Sequence, residues 1–146
     1  MGAPHTPEPR VILVVDDDWL NRELMNDILT VYGFQVLLAN SGAQALALVS
    51  ERRPDLILLD VRMPDMSGYE VCGKIKADER TKHIPVVMTT GLQIDAEERA
   101  KTAACGADDV VTRIMSTDEL VERFNTLIAG KTTQNIEPQT PDKTPD

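Results

Sequence analysis

Five short apolar runs alternate with five segments of helical periodicity, and that alternation leaves few folds open. The first run, Val11 to Val15, is continuous rather than alternating, as a strand covered on both faces must be. The others are Phe34 to Ala39, Leu56 to Leu59, Val86 to Thr89 or Thr90, and Asp109 to Thr112. Between the first two, Leu20, Leu24, Ile28 and Val31 form a helical stripe that Gly33 stops. Ser41 and Gln44 open a second helix as a capping box, burying Ala45, Leu46 and Val49 and halting before Pro54. A third runs from about Tyr69 to Asp78 with Val71, Cys72 and Ile75 inward. A fourth, about Ala96 to Cys105, offers only Ala100, Ala103 and Ala104 as an inner face, so it is expected to be the loosest element. Ser116 and Glu119 cap a fifth, with Leu120, Phe124, Leu127 and Ile128 on one stripe. Alternating strands and helices with right-handed crossovers give an α/β three-layer, doubly wound parallel sheet. Five strands suit the flavodoxin-like order 2-1-3-4-5.

The chain has 146 residues, enough for one domain over 10–130. Residues 1–9 read as a flexible segment, and the polar, proline-containing stretch 131–146 as a disordered tail or linker. No apolar run approaches a membrane span, and the amino terminus has no secretory signal, so a cytoplasmic protein without membrane contact is expected. A net charge of -9 with 3% aromatics argues against direct nucleic-acid binding. Cys72 and Cys105 lie far apart in sequence without CxxC spacing and read as two buried thiols. Neither His5 nor His83 has a second His, or a nearby Cys, at metal-ligand spacing.

The chemistry gathers where strands end. The first strand delivers Asp16, Asp17 and Asp18, and the third delivers Asp60. In the order 2-1-3-4-5 these strands are neighbours, so the acids fall in the crevice where such sheets bind ligands. Crowded carboxylates hold either protons or a hard cation. Mg2+ keeps free positions when bound by few carboxylates, and these suit phosphate oxygens. Thr89, Thr90 and Arg113 end the next strands along the same edge; a hydroxyl and a planar cation both match a phosphoryl group. Together these are the parts for phosphoryl transfer to an aspartate, with Asp60 as nucleophile. Asp18 reads either as a helix N-cap or as a modulator of the metal site.

Three stretches resemble the response-regulator receiver domains of two-component signalling: Val14 to Asp18, Leu58 to Gly68 and Pro85 to Thr90. The similarity spans about Arg10 to Ala129. It implies that Asp60 accepts a phosphoryl group from a sensor histidine kinase or histidine phosphotransfer protein. It also implies Mg2+ (or Mn2+) bound by Asp17 and Asp60 directly, by Asp16 through water, and by the backbone carbonyl of Arg62. Thr90, five residues after Pro85, matches the switch hydroxyl, and Gly91 the small residue behind it. The resemblance implies a signalling switch that catalyses its own phosphorylation and dephosphorylation but no turnover reaction. Its output is a downstream protein contact on the fourth helix, fifth strand and fifth helix; weak homodimerisation is left open.

Departures from the family pattern are equally specific. Arg113-Ile114 stands where receivers carry Lys-Pro with a cis peptide; a cis bond before a non-proline costs roughly 3–4 kcal/mol, so a trans bond is expected. Arg113 then either approaches the pocket from another angle or points away. Val110 replaces an aromatic ring that turns inward on activation, and Arg62 and Leu92 occupy positions that tune phosphate lifetime. These changes leave an alternative in view: a receiver-like adaptor binding a partner independently of phosphorylation. An aspartate-nucleophile phosphatase would need a second acid two residues after Asp60, where this chain has Arg62. Glu97-Glu98-Arg99 reads as a solvated helix face.

Overall fold

Strands this apolar need cover on both faces, and the intervening helices supply it. The computed structural model describes residues 9–91 and 93–134. Its elements are β1 (Val11–Val15), α1 (Trp19–Val31), β2 (Gln35–Ala39), α2 (Gly42–Arg52), β3 (Leu56–Asp60), α3 (Gly68–Ala77), β4 (Val86–Thr90), α4 (Ala96–Cys105), β5 (Asp109–Thr112) and α5 (Thr117–Gln134). All strand pairs are parallel and the order is β2-β1-β3-β4-β5, the expected flavodoxin-like sheet. Val15 pairs with both Ala39 and Leu59, and Asp60 with Thr89, so the carboxyl ends of the central strands finish at one edge.

Alternate strand residues feed two cores. Leu13, Val15, Ile57, Leu59, Val86 and Met88 pack with Ala45 and Val49 of α2 and with Val71, Cys72 and Ile75 of α3. Ile12, Val14, Leu58, Val87 and Val111 pack on the opposite face with Leu29, Leu120, Phe124 and Ile128. This division explains the unbroken apolar runs: every residue of β3 and β4 is buried. The inward faces expected of α2, α3 and α5 are the ones observed.

Two helices present faces other than those expected. On α1 the core contact is Leu29, with Met25 packed beside it, whereas Leu20, Leu24 and Val31 are 64%, 55% and 83% exposed. The two stripes differ by one residue, about 100° of helix rotation, and periodicity alone cannot say which one meets the sheet. On α4 the alanines at 100, 103 and 104 face outward; Thr102 is buried, with Glu98 and Cys105 half-buried on the same side. Small side chains forgo little by facing water, so the turn of the helix follows its polar anchors instead. Helix α5 continues through Gly130 to Gln134, past the expected boundary at 130. The rest of the expected tail, the segment before Pro9 and Leu92 lie outside the described residues. Among the described residues, no helix is long and apolar enough to cross a membrane.

The rotation of α1 is measurable by mutation. Leu29→Ala should cost about 2–5 kcal/mol in urea unfolding, and Leu24→Ala no more than about 1 kcal/mol. Equal losses would place α1 differently.

Candidate functional site

The acidic edge is built by strand ends and by the loops that leave them. β1 runs straight into Asp16, whose amide still pairs with the Ala39 carbonyl at 3.1 Å, so this carboxylate is held by the sheet itself. The Asp16 Oδ1 accepts the Asp18 amide at 2.9 Å, and Arg22 from α1 donates to the Asp16 carbonyl at 2.9 Å. Asp18 settles as the N-cap of α1, accepting from the amides of Leu20 (2.9 Å) and Asn21 (3.3 Å). Asp60 closes β3 and is 5% exposed. Its Oδ1 accepts the Arg62 amide at 3.3 Å.

The loop after Asp60 is fixed from three directions. Gly68 donates to the Val61 carbonyl at 2.9 Å, and a Cβ at 68 would sit 2.2 Å from the Asp60 carbonyl oxygen. Any larger residue there displaces the backbone that carries the Asp60 side chain. Ser67 caps α3 through the Glu70 amide. Asp65 reaches across to the start of α2, where its two oxygens accept the Gly42 and Ala43 amides at 3.0 and 3.1 Å. Those two bonds, Gly42 first, hold its carboxyl below the usual range. Met63 and Met66 pack against the neighbouring core.

Oxygens of Asp16, Asp17 and Asp60 all lie within 4.8 Å of one another, with Asp17 exposed and the other two buried. They border a cleft of about 310 Å³ that Arg62, Thr90, Gly91 and Arg113 also line. This donor set is all oxygen, negatively charged and open on one side, which fits a hard divalent cation. At Gly91 a Cβ would meet nothing within 4 Å, so the cleft is open there.

Arg113 turns into the pocket. Its guanidinium lies 3.1 Å from Asp60 Oδ1 and 3.4 Å from Asp16 Oδ2, one nitrogen to each acid. No described peptide bond is cis, so the Arg113-Ile114 bond is trans, and Ile114 stands 69% exposed beyond it. The Arg113 amide pairs with the Gly91 carbonyl at 3.0 Å, extending the β4–β5 register to the pocket mouth.

Thr90 meets Glu98, a residue expected on a solvated helix face. Its hydroxyl donates to Glu98 Oε2 at 2.7 Å. The other Glu98 oxygen accepts the Asp95 amide at 3.4 Å, while the Glu98 amide donates to Asp95 Oδ1 at 2.8 Å. One carboxylate thus closes the α4 capping box and holds the Thr90 hydroxyl. The signal was present as Asp95-x-x-Glu98; what it lacked was the position of Thr90, eight residues earlier in sequence. Thr89, by contrast, is buried with its hydroxyl unpartnered.

Burial pushes Asp60 up to about 6, and the adjacent Asp16 adds to the rise, while the Arg62 amide and Arg113 oppose it. The folded protein therefore holds this proton more tightly than the unfolded chain, and stability falls as pH rises from 3.8 to about 6. The loss at neutral pH is on the order of 3 kcal/mol.

Comparison with known proteins is consistent throughout. The sequence model for the response regulator receiver domain matches residues 12–125. The polar-differentiation response regulator DivK of Brucella anthropi is 32% identical over 121 residues, covering 82% of this chain and 97% of its own. Among solved structures, the receiver domain of a signal transduction histidine kinase from Syntrophus aciditrophicus has a TM-score of 0.76 at 32% identity, covering 83% of this chain and 91% of its own. Vibrio cholerae chemotaxis protein CheY4 has a TM-score of 0.77 at 26% identity, covering 82% and 99%.

Replacing Asp60 by Asn should raise the Tm of metal-free protein by several degrees at pH 7.5, with the gain vanishing near pH 4, where both forms are neutral. Thermal scans across that range test it; a gain independent of pH would exclude the buried charge of Asp60 as the cause.

Proposed function

Because the chain belongs to the response regulator receiver domain family, we propose that Asp60 takes a phosphoryl group from the phosphohistidine of a sensor histidine kinase or histidine phosphotransfer protein. The convergence of Asp16, Asp17, Asp60 and Arg113 on one open cleft carries this reading. In the transfer, a bond forms between an Asp60 carboxylate oxygen and phosphorus as the phosphorus–nitrogen bond breaks. The released imidazole nitrogen takes up a proton. Asp16, Asp17, Asp60 and the Arg62 carbonyl would hold Mg2+ or Mn2+, which when bound offsets charge on the phosphoryl oxygens.

The chain's own groups do the rest. Arg113, already beside Asp60, is placed to meet a phosphoryl oxygen with its planar fork. Thr90 lines the same cleft, and its hydroxyl can exchange Glu98 for the new anion. That exchange removes a tether from the first turn of α4, which makes the α4-β5-α5 surface the natural output for a downstream protein. Hydrolysis of the acyl phosphate returns Thr90 to Glu98. Trp19, Leu20 and Ile114, each at least 64% exposed beside the acidic edge, supply an apolar rim for the phosphodonor.

The exposed Ile114 and the non-aromatic Val110 motivate a second reading, an adaptor indifferent to phosphorylation. The approach of Arg113 to Asp60 favours the switch, since an adaptor has no use for a cation at that carboxylate. A phosphatase finds no support: the residue two beyond Asp60 is Arg62, and its amide donates to Asp60.

Acetyl phosphate with Mg2+ should add one phosphoryl group by intact mass, and Asp60→Asn should abolish it; labelling elsewhere defeats the proposal. Ile114→Asp should slow transfer from a cognate kinase about tenfold. It should leave acetyl phosphate labelling within about twofold, because only the protein donor uses the apolar rim.

A further inference from the structure

The two cysteines, separated by 33 positions, meet in the fold. Cys72 sits in the middle of α3 and is fully buried, whereas Cys105 is the last residue of α4 and only half-buried. The Cys72 thiol donates to the Cys105 carbonyl oxygen at 3.4 Å. The Cys105 thiol donates to the Thr102 carbonyl at 3.3 Å, within its own last turn. The helices are close here for a reason that can be read from the backbone. Gly106, at φ 86°, ends α4, and a Cβ there would stand 3.3 Å from the Lys76 side chain, one turn beyond Cys72. Lys76 is in turn fixed by the Ile84 carbonyl at 2.7 Å and by Asp108 at 2.9 Å. The contact between α3 and the end of α4 is therefore braced on both sides of the thiols.

We propose that Cys72 and Cys105 form an oxidation site, a paired dithiol that a peroxide converts to an intramolecular disulfide linking α3 to α4. The half-buried thiol reacts first. The Cys105 sulfur attacks one peroxide oxygen, the O–O bond breaks, and the thiol proton leaves with the departing hydroxide as water. The Cys72 sulfur then displaces hydroxide from the Cys105 sulfenic acid, and its own proton completes a second water. Two thiols and one hydrogen peroxide give one disulfide and two waters. The order follows from the surroundings. Burial, and next the adjacent Cys105 thiol, keep Cys72 protonated, with Lys76 opposing and Asp108 reinforcing. Cys72 is thus the resolving partner, sheltered from over-oxidation.

The bond changes what α4 can do. Its last residue is tied to α3, while its first turn is anchored by the Thr90–Glu98 contact and the Asp95 cap. Oxidation fixes the far end of the helix, independently of any event at Asp60.

The test uses the full chain and hydrogen peroxide, followed by maleimide trapping under denaturing conditions. The reduced protein takes up two maleimides. The oxidised monomer should take up none, with a mass lower by about 2 Da, and dithiothreitol should restore both. Closing a loop of this length should raise the Tm by on the order of 5–10 °C, reversed by the same reductant. Cys105→Ser should leave one reactive thiol and remove the Tm response. Should Cys72→Ser fold poorly, Cys72→Val, which better suits the buried site, replaces it and should trap Cys105 as a mixed disulfide with added glutathione. Two free thiols after oxidation, a disulfide-linked dimer, or sulfinic acid at Cys105 as the wild-type product would overturn the proposal.

Discussion

Two carboxylates buried at the ends of adjacent parallel strands repel each other, and the neighbourhood of Asp16 and Asp60 is organised around offsetting that repulsion. The sheet leaves neither acid free to retreat: the Asp16 amide is still in the ladder, and Asp60 is the last residue of β3. Burial and proximity push Asp60 up to about 6, close to the range in which cells work. Arg113 supplies one positive charge divided between the two acids, with Asp17 adding a third negative one. The remaining excess of negative charge is what a divalent cation would offset.

A site under this electrostatic load needs a rigid frame, and the frame consists mostly of backbone hydrogen bonds. Gly68 approaches Asp60 too closely for any side chain, so α3 begins against the backbone of the acid it supports. Asp65 ties the same loop to the amino end of α2, where two free amides need acceptors. The exception is the side of the cleft facing α4. There the link is the hydroxyl–carboxylate bond between Thr90 and Glu98, at a helix that turns Ala100, Ala103 and Ala104 outward along with charged residues. Rigidity on three sides and a single exchangeable contact on the fourth give the site a direction in which to respond.

That same helix is braced at its other end by the packing of Gly106 against Lys76 and by the paired thiols. α4 thus has two ends of different character, one addressed by charge at the cleft and one by sulfur chemistry. On the opposite face of the sheet, α1 is secured by Leu29 and by the Tyr32 hydroxyl bond to Asp118 at the start of α5, which leaves its other apolar stripe outside.

The sequence by itself determined the layers, the strand order and the acids of the cleft. Unbroken apolar runs alternating with capped helices admit one economical sheet, and strand ends in a parallel sheet share an edge. It also determined the trans bond after Arg113, because the cost of a cis bond is local. Tertiary structure decided what depends on rotation and reach. Which stripe of α1 turns inward is a difference of about 100° that periodicity leaves degenerate. Whether Arg113 enters the pocket, whether Glu98 meets water or Thr90, and whether two distant cysteines touch are set by where separate elements converge. Arg113 and Asp60, and the two cysteines, are too far apart in sequence for any local pattern to pair them. Thr90 and Glu98 are only eight residues apart, but they sit on a strand and a helix whose relative placement the fold sets.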